Sequence, residues 1–182
     1  IETSSAFDIN IVETLMEEGK INKNTFIVCN GFKRDQYVTN IARLINNGHK
    51  NTIPVIDNFE ELDLLQEQID GKFKIGIRIA AEEEPKFEFY TSRLGIGYKD
   101  IVPFYRKQIA ENKKVELKML HFFINAGIRD TAYYWNELLK CMKVYIALKK
   151  ECPSLDSLNI GGGFPIKNSL AFDYDYQYMV DE

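Results

Sequence analysis

The sequence predicts a parallel α/β fold, on three observations. Apolar, β-rich runs of strand length alternate with helical patterns along all 182 residues, in about six strand-then-helix units. One strand per repeat, each followed by a helix able to cover it, is the order of parallel strands joined by crossovers. No shorter internal repeat, low-complexity tract or Pro/Ser-rich linker divides the chain. Periodicity leaves the sheet open or closed. A complete eight-stranded barrel takes roughly 250 residues, so six units form either an open doubly wound sheet or a barrel lacking strands.

The units run in order. Ile1–Thr3 is a short strand fragment and Phe7–Gly19 a helix. Thr25–Val28 is a buried strand ending at Cys29-Asn30-Gly31. Asp35–Asn47 follows as a helix with Tyr37, Ile41, Leu44 and Ile45 on one face, stopped at Gly48. Thr52–Asp57 is a strand, Asn58 an N-cap, and Phe59–Ile69 a helix broken by Asp70-Gly71. Lys72–Ala80 is the next strand, followed by an irregular acidic stretch over Ala81–Ser92 and a helix over Lys99–Glu111. Val115–Ile124 reads as a strand, Thr131–Glu151 as a long helix, and Ser157–Ile160 as a strand running into Gly161-Gly162-Gly163. From Asp173 to Glu182 no closing element is predicted, and the chain reads as cut at both ends. Right-handed crossovers wind one way, so every helix is expected on the outer surface of a curved sheet.

Composition excludes several classes. Lys and Arg total 23 against 27 for Asp and Glu, a formal charge of −4, with no stretch interleaving basic and aromatic residues, so no nucleic-acid partner is expected. No membrane role is expected either, since the longest apolar runs are of strand length, far below the roughly 20 residues of a spanning helix. The three cysteines, Cys29, Cys141 and Cys152, share no CxxC spacing, which fits reduced thiols in a cytoplasm and neither a disulfide frame nor a metal site.

In either architecture chemistry belongs at the carboxyl ends of the strands, so the residues to weigh are Ser4, Ser5, Asn30, Lys33, Asp57, Arg78, His121 to Asn125 and the three glycines. Gly161-Gly162-Gly163 leaves backbone N–H groups uncovered for an anionic phosphate, or else makes a tight turn with positive φ. Arg78 is a charge in an otherwise apolar strand, which either reaches a polar site at the strand's end or pairs with a carboxylate to close the barrel. By alternation His121, Phe123 and Asn125 share one face, and His121 is either a working group or a hydrogen-bonded core residue. Glu82-Glu83-Glu84 is a solvated run and Tyr133-Tyr134-Trp135 packs a helix onto its neighbours.

The segments Ile1-Glu2-Thr3-Ser4-Ser5, Cys29-Asn30-Gly31-Phe32-Lys33, Gly76-Ile77-Arg78-Ile79, Ser92-Arg93-Leu94-Gly95, Leu120-His121-Phe122 and Leu158-Asn159-Ile160-Gly161-Gly162-Gly163-Phe164-Pro165 carry a family likeness. With these motifs in this order, the sequence resembles the pyridoxal-phosphate-dependent decarboxylases with an alanine-racemase-type barrel, the biosynthetic arginine decarboxylases among them. The resemblance implies a parallel (β/α)8 TIM-type barrel, incomplete here and spanning about its second to seventh strands. Residues 1–182 would be the central part of the barrel domain, with the first strand and a C-terminal β-domain absent.

The same resemblance implies the site. Gly161, Gly162 and Gly163 would hold the phosphate of pyridoxal 5'-phosphate, Arg78 would approach the cofactor ring, and Glu2 would be an acidic group near the Schiff base. A valine at Gly162 is expected to strain the backbone and fill the phosphate's space. The Schiff-base lysine belongs before Ile1, and the residues pairing with the pyridine nitrogen or crossing a dimer belong after Glu182. Lys33 sits at a different strand end and is no replacement. Inside the chain, Phe123 stands where the family has a stacking histidine, and Asn125-Ala126 replaces its Gly-Ser pair. Phenylalanine still offers a face for stacking, while the lost serine removes a phosphate ligand. The catalytic set implied is Glu2, Arg78 and His121; the cofactor-binding set is Phe123, Gly161, Gly162, Gly163 and Arg78.

The expected activity is decarboxylation of a basic amino acid, arginine to agmatine in polyamine synthesis, by a cytoplasmic homo-oligomer acting on a small-molecule substrate. Two other readings stand beside it: a non-catalytic, cofactor-binding or regulatory homologue marked by Phe123 and Ala126, and an open α/β phosphate-ligand binder.

Overall fold

The structure, a computed structural model, describes residues 1–80, 94–123, 131–162 and 175–181. Arg93, Asn125-Ala126, Gly163 and the acidic stretch lie outside these residues. The elements run β1 (Glu2–Thr3), α1 (Ala6–Glu17), β2 (Ile27–Cys29), α2 (Asp35–Asn46), β3 (Thr52–Ile56), α3 (Phe59–Gln68), β4 (Phe73–Ala80), β5 (Ile96–Gly97) and α4 (Tyr98–Phe104), continued by a wider turn over Tyr105–Ile109. Then come β6 (Val115–Phe122), α5 (Thr131–Lys149), β7 (Ser157–Asn159) and α6 (Tyr176–Asp181).

All strand pairs are parallel, in the order β1-β2-β3-β4-β6-β7, with β5 on β4. The six predicted strands are present. The seventh, β5, is an addition: Ile96-Gly97 is too short for a periodic signal and pairs only with Ile79 and Ala80 at the end of β4. Because β6 occupies the other edge of Ile79, β5 extends the sheet on the β3 side.

Two further elements depart from expectation. The helix expected over Lys99–Glu111 changes pitch at Tyr105, where the Ala110 N–H reaches back to the Tyr105 carbonyl at 2.8 Å. The six-residue helix α6 forms where no element was predicted. The predicted punctuation is otherwise present. Asn58 Oδ1 accepts the Glu61 N–H at 3.0 Å as an N-cap, and Gly48 ends α2 with φ of 95°.

Strand alternation divides the sheet into two faces. Ile27, Cys29, Ile56, Ile75, Ile77, Ile79, Leu120 and Phe122 face outward and share one core with the helices. Val28, Val55 and Met119 form a separate cluster containing no helical residue, so they line the inner face. Gly76 belongs there by necessity, because a Cβ on it would stand 2.9 Å from Val55 Cγ2 and 3.3 Å from Met119 Cβ.

The sheet is curled. Asn159 Nδ2 on β7 lies 3.4 Å from Glu2 Oε2 on β1, whereas five strand spacings of about 4.8 Å would separate these strands by roughly 24 Å in a flat sheet. The expected curvature and the one-sided placement of the helices therefore hold.

Candidate functional site

The inner face gathers polar side chains at the carboxyl ends of the strands. Arg78 on β4 is in register with His121 on β6, and His121 with Asn159 on β7. Asp57 follows β3 one residue past the Ile56–Ile77 pair, and its Oδ1 lies 3.5 Å from Arg78 Nη1. This pairing gives Arg78 the carboxylate that a buried guanidinium needs. The guanidinium carbon also lies 5.6 Å from the centre of the Phe123 ring, within cation–π range. Arg78 thus touches both a charge and a site aromatic, and the two readings of it in sequence describe one arrangement.

His121 is buried, and its Nδ1 has no hydrogen-bond partner among the described residues. Burial pushes its pKa below the ordinary value of 6.5, and the Arg78 charge pushes it the same way; Glu2 and Asn159 act in the opposite sense. The ring is therefore neutral at pH 7. Glu2 is exposed and bridges two strands: one carboxylate oxygen accepts from Asn30 Nδ2, the other from Asn159 Nδ2.

The turn after β7 is fixed at its first glycine. Gly161 has φ of 71°, and a Cβ on it would lie 2.5 Å from the Phe122 carbonyl oxygen. Its N–H donates to Asn159 Oδ1 at 2.9 Å. The expected strain at Gly162 is corrected here, since Gly162 has no positive φ and, among the described residues, a Cβ there would meet nothing within 4 Å. The backbone restriction belongs to Gly161, while Gly162 presents uncovered main chain.

Three residues that sequence reasoning placed at strand ends, without roles, complete the site. Lys33 is sealed from water, its Nζ donating to the Gly31 carbonyl at 2.9 Å and to the Val55 carbonyl, and lying 3.4 Å from Glu61 Oε2. With its ammonium so engaged, it is no free nucleophile. Among the described residues, Asn30 Oδ1 and both Asp57 oxygens are buried without a hydrogen-bond donor. Glu61, inside α3, gave no signal as a site residue, yet it accepts the Lys33 N–H at 3.0 Å and the Asp57 N–H at 2.9 Å.

Fold and site together define a protein of parallel α/β-barrel type with a polar ligand seat at the carboxyl ends of its strands. The chain belongs to the family described as "Pyridoxal-dependent decarboxylase, pyridoxal binding domain", whose pattern matches residues 3–175. It is 26% identical over 183 aligned residues to a biosynthetic arginine decarboxylase of Prochlorococcus marinus, an alignment covering 96% of this chain and 26% of that protein. Arginine decarboxylase 1, chloroplastic, of Arabidopsis thaliana is 27% identical, with 96% and 25% covered. The chain thus spans about a quarter of the length of these relatives. Among solved structures, lysine decarboxylase from Selenomonas ruminantium superposes with a TM-score of 0.75 at 18% identity, covering 100% of this chain and 44% of that one. Diaminopimelate decarboxylase from Helicobacter pylori complexed with L-lysine gives 0.72 at 19%, covering 99% and 46%. These two share the fold.

Pyridoxal phosphate is the cofactor of this domain family, and the residues present fit it. Among the described residues, Asn30 Oδ1, Asp57 Oδ2 and His121 Nδ1 are buried polar atoms on the inner face without a hydrogen-bond partner, each costing roughly 1–3 kcal/mol unless a ligand or water meets it. Beside them, Gly162 opens the main chain to an anion.

Proposed function

We propose that the natural protein carrying this chain decarboxylates a basic amino acid, arginine in particular, with pyridoxal phosphate seated at the carboxyl ends of the strands. The observation that carries this reading is the row Asp57, Arg78, His121 and Asn159 beside the Gly161 turn, in a chain of the pyridoxal-dependent decarboxylase family. The match to curated arginine decarboxylases supports arginine. When bound, the cofactor supplies an electron sink for the pair of electrons released as carbon dioxide departs.

The chain's residues bind and orient. The glycine turn would hold the phosphate through the N–H groups of Gly162 and Gly163, with Gly161 shaping the turn and its own N–H taken by Asn159 Oδ1. Phe123 offers one face to the pyridine ring while Arg78 lies against it, and Asp57 fixes the guanidinium. Glu2 keeps a negative charge at the first strand, beside the Schiff-base position. Neutral His121 lines the floor below Phe123.

On this reading the chain is the central segment of a barrel domain in a cytoplasmic homo-oligomer that feeds polyamine synthesis. Its cysteines, all three buried and unpaired, suit a reducing compartment. Full-length protein incubated with carboxyl-labelled arginine, lysine, ornithine and diaminopimelate tests the activity. Carbon dioxide release fastest from arginine is expected. Release from none of them, with the cofactor bound, would establish a non-catalytic homologue instead.

A further inference from the structure

Asn159 uses both ends of its amide. Its Nδ2 donates to Glu2 Oε2 at 3.4 Å, across 157 positions of sequence, and its Oδ1 accepts the Gly161 N–H at 2.9 Å. The other oxygen of Glu2 accepts from Asn30 Nδ2, and Asn30 is buried at the end of β2. A hydrogen-bonded chain therefore runs from β2 through Glu2 and Asn159 into the turn after β7. It ends on a glycine whose backbone is pressed against the Phe122 carbonyl.

We propose that Asn159 is a positioning residue that couples Glu2 to the glycine turn, holding the acidic side chain of the first strand and the phosphate-side backbone as one unit. This rests on the reading that the glycine turn seats the cofactor phosphate. An amide suits the task for a definite reason: only a side chain with a donor and an acceptor can take the Gly161 N–H and also give a hydrogen to a carboxylate. An aspartate would keep the first contact and turn a bare oxygen toward Glu2. Alanine would lose both.

The reciprocal exchange is the decisive feature. In E2Q/N159D the amide moves to position 2, where it can donate to the new carboxylate, which still accepts from Gly161. The chain of bonds is restored with the donor and acceptor of its central link reversed. In E2Q/N159A nothing stands opposite the glutamine.

The test titrates pyridoxal phosphate, and separately pyridoxal without the phosphate, into the apo form of the full-length natural protein at pH 8. N159A and N159D should each lose about tenfold in affinity for pyridoxal phosphate, the scale of one or two hydrogen bonds, with pyridoxal affinity unchanged. E2Q/N159D should return to within about threefold of the natural protein, and E2Q/N159A should stay at the N159A level. Equal recovery in both double variants would reduce the effect to removal of the Glu2 charge and overturn the coupling, as would no recovery in either. Should N159A prove too unstable to isolate, N159D against E2Q/N159D, with E2Q alone as reference, carries the comparison. If the natural protein binds pyridoxal phosphate no better than pyridoxal, the phosphate reading of the turn fails. If it prefers the phosphate form and the exchange does not rescue, only the coupling fails.

Discussion

Lys33 Nζ lies 3.4 Å from Glu61 Oε2, with both side chains sealed from water. Glu61 also takes the backbone N–H groups of Lys33 and Asp57, so one carboxylate ties the end of β2 to the end of β3 and sets the Asp57 backbone that faces Arg78. Removing the ammonium leaves that carboxylate buried without its counter-charge. Lys33→Met should therefore destabilise the fold by about 3–5 kcal/mol. The exposed pair Arg43–Glu13, at 2.7 Å, should cost about 1 kcal/mol or less when Arg43 becomes Ala. Urea unfolding of both variants checks the contrast, and equal losses would contradict it.

The two described glycines of the triplet should separate stability from binding. Gly161→Ala places a Cβ 2.5 Å from a carbonyl oxygen at a left-handed backbone position, so a loss of at least about 1–2 kcal/mol is expected. Gly162→Ala meets nothing within 4 Å among the described residues, so its melting temperature should not move. Its methyl group instead takes up ligand space, and affinity for pyridoxal phosphate should fall. Calorimetric melting and cofactor titration of the two variants give opposite patterns if the assignment is right.

Phe123→Ala should weaken pyridoxal phosphate binding several-fold, a stacking contribution on the order of 1 kcal/mol. Unchanged affinity would mean that the ring serves Arg78, 5.6 Å away, and does not touch the cofactor.

His121 gives stability a pH dependence with a definite sign. Its folded pKa is lowered, mainly by burial, so the unfolded chain binds the proton more readily. The contribution of the neutral ring is complete above the unfolded value of 6.5 and is lost as pH falls through the folded pKa. His49 is shifted in the same direction, so the slope has two sources. His121→Asn should flatten the fall in melting temperature as pH drops below 6.5 without abolishing it. An unchanged slope would assign the whole effect to other groups.

Among the described residues, β1 and β7 each pair on one side only, and two open sheet edges invite pairing between molecules. Phe7 and Ile11, one turn apart on α1, are 76% and 61% exposed. The 182-residue chain by itself should self-associate in sedimentation at micromolar concentration. A monodisperse monomer that melts cooperatively would contradict this.

The central strands were legible because they are short, mostly apolar runs next to turn residues, as in Thr52–Ile56 and Phe73–Ala80. The two-residue β5 is set by what it pairs with and carries no pattern of its own. The wide turn at Tyr105 shares its side-chain spacing with an ordinary helix, so periodicity could not show it. In the site, Arg78 and His121 stood out as polar groups in apolar strands. Asn159 read only as the residue before the glycines, and Glu61 as one acid among several on a helix surface. Besides nearby contacts, Glu61 takes its role from Lys33, 28 positions away, and Asn159 from Glu2, 157 positions away across the curl of the sheet. Nothing local in a single sequence encodes that.

The register shift between β4 and β6 bears on which deletions the strand can accept. Ile75 pairs with Leu117 and Gly76 with Met119, so Lys118 is the one residue of β6 without a partner on β4 at that point. Shortening the chain by Lys118 would keep Met119 opposite Gly76 and leave His121 and Phe123 facing inward, at the cost of the ion pairs from Lys118 to Asp156 and Glu116. Shortening it by Leu120 would invert everything that follows, turning Phe122 to the inside and His121 into the helix layer. A lineage could therefore drop the lysine and keep its active-site face, while loss of a single leucine two positions on would turn that face inside out.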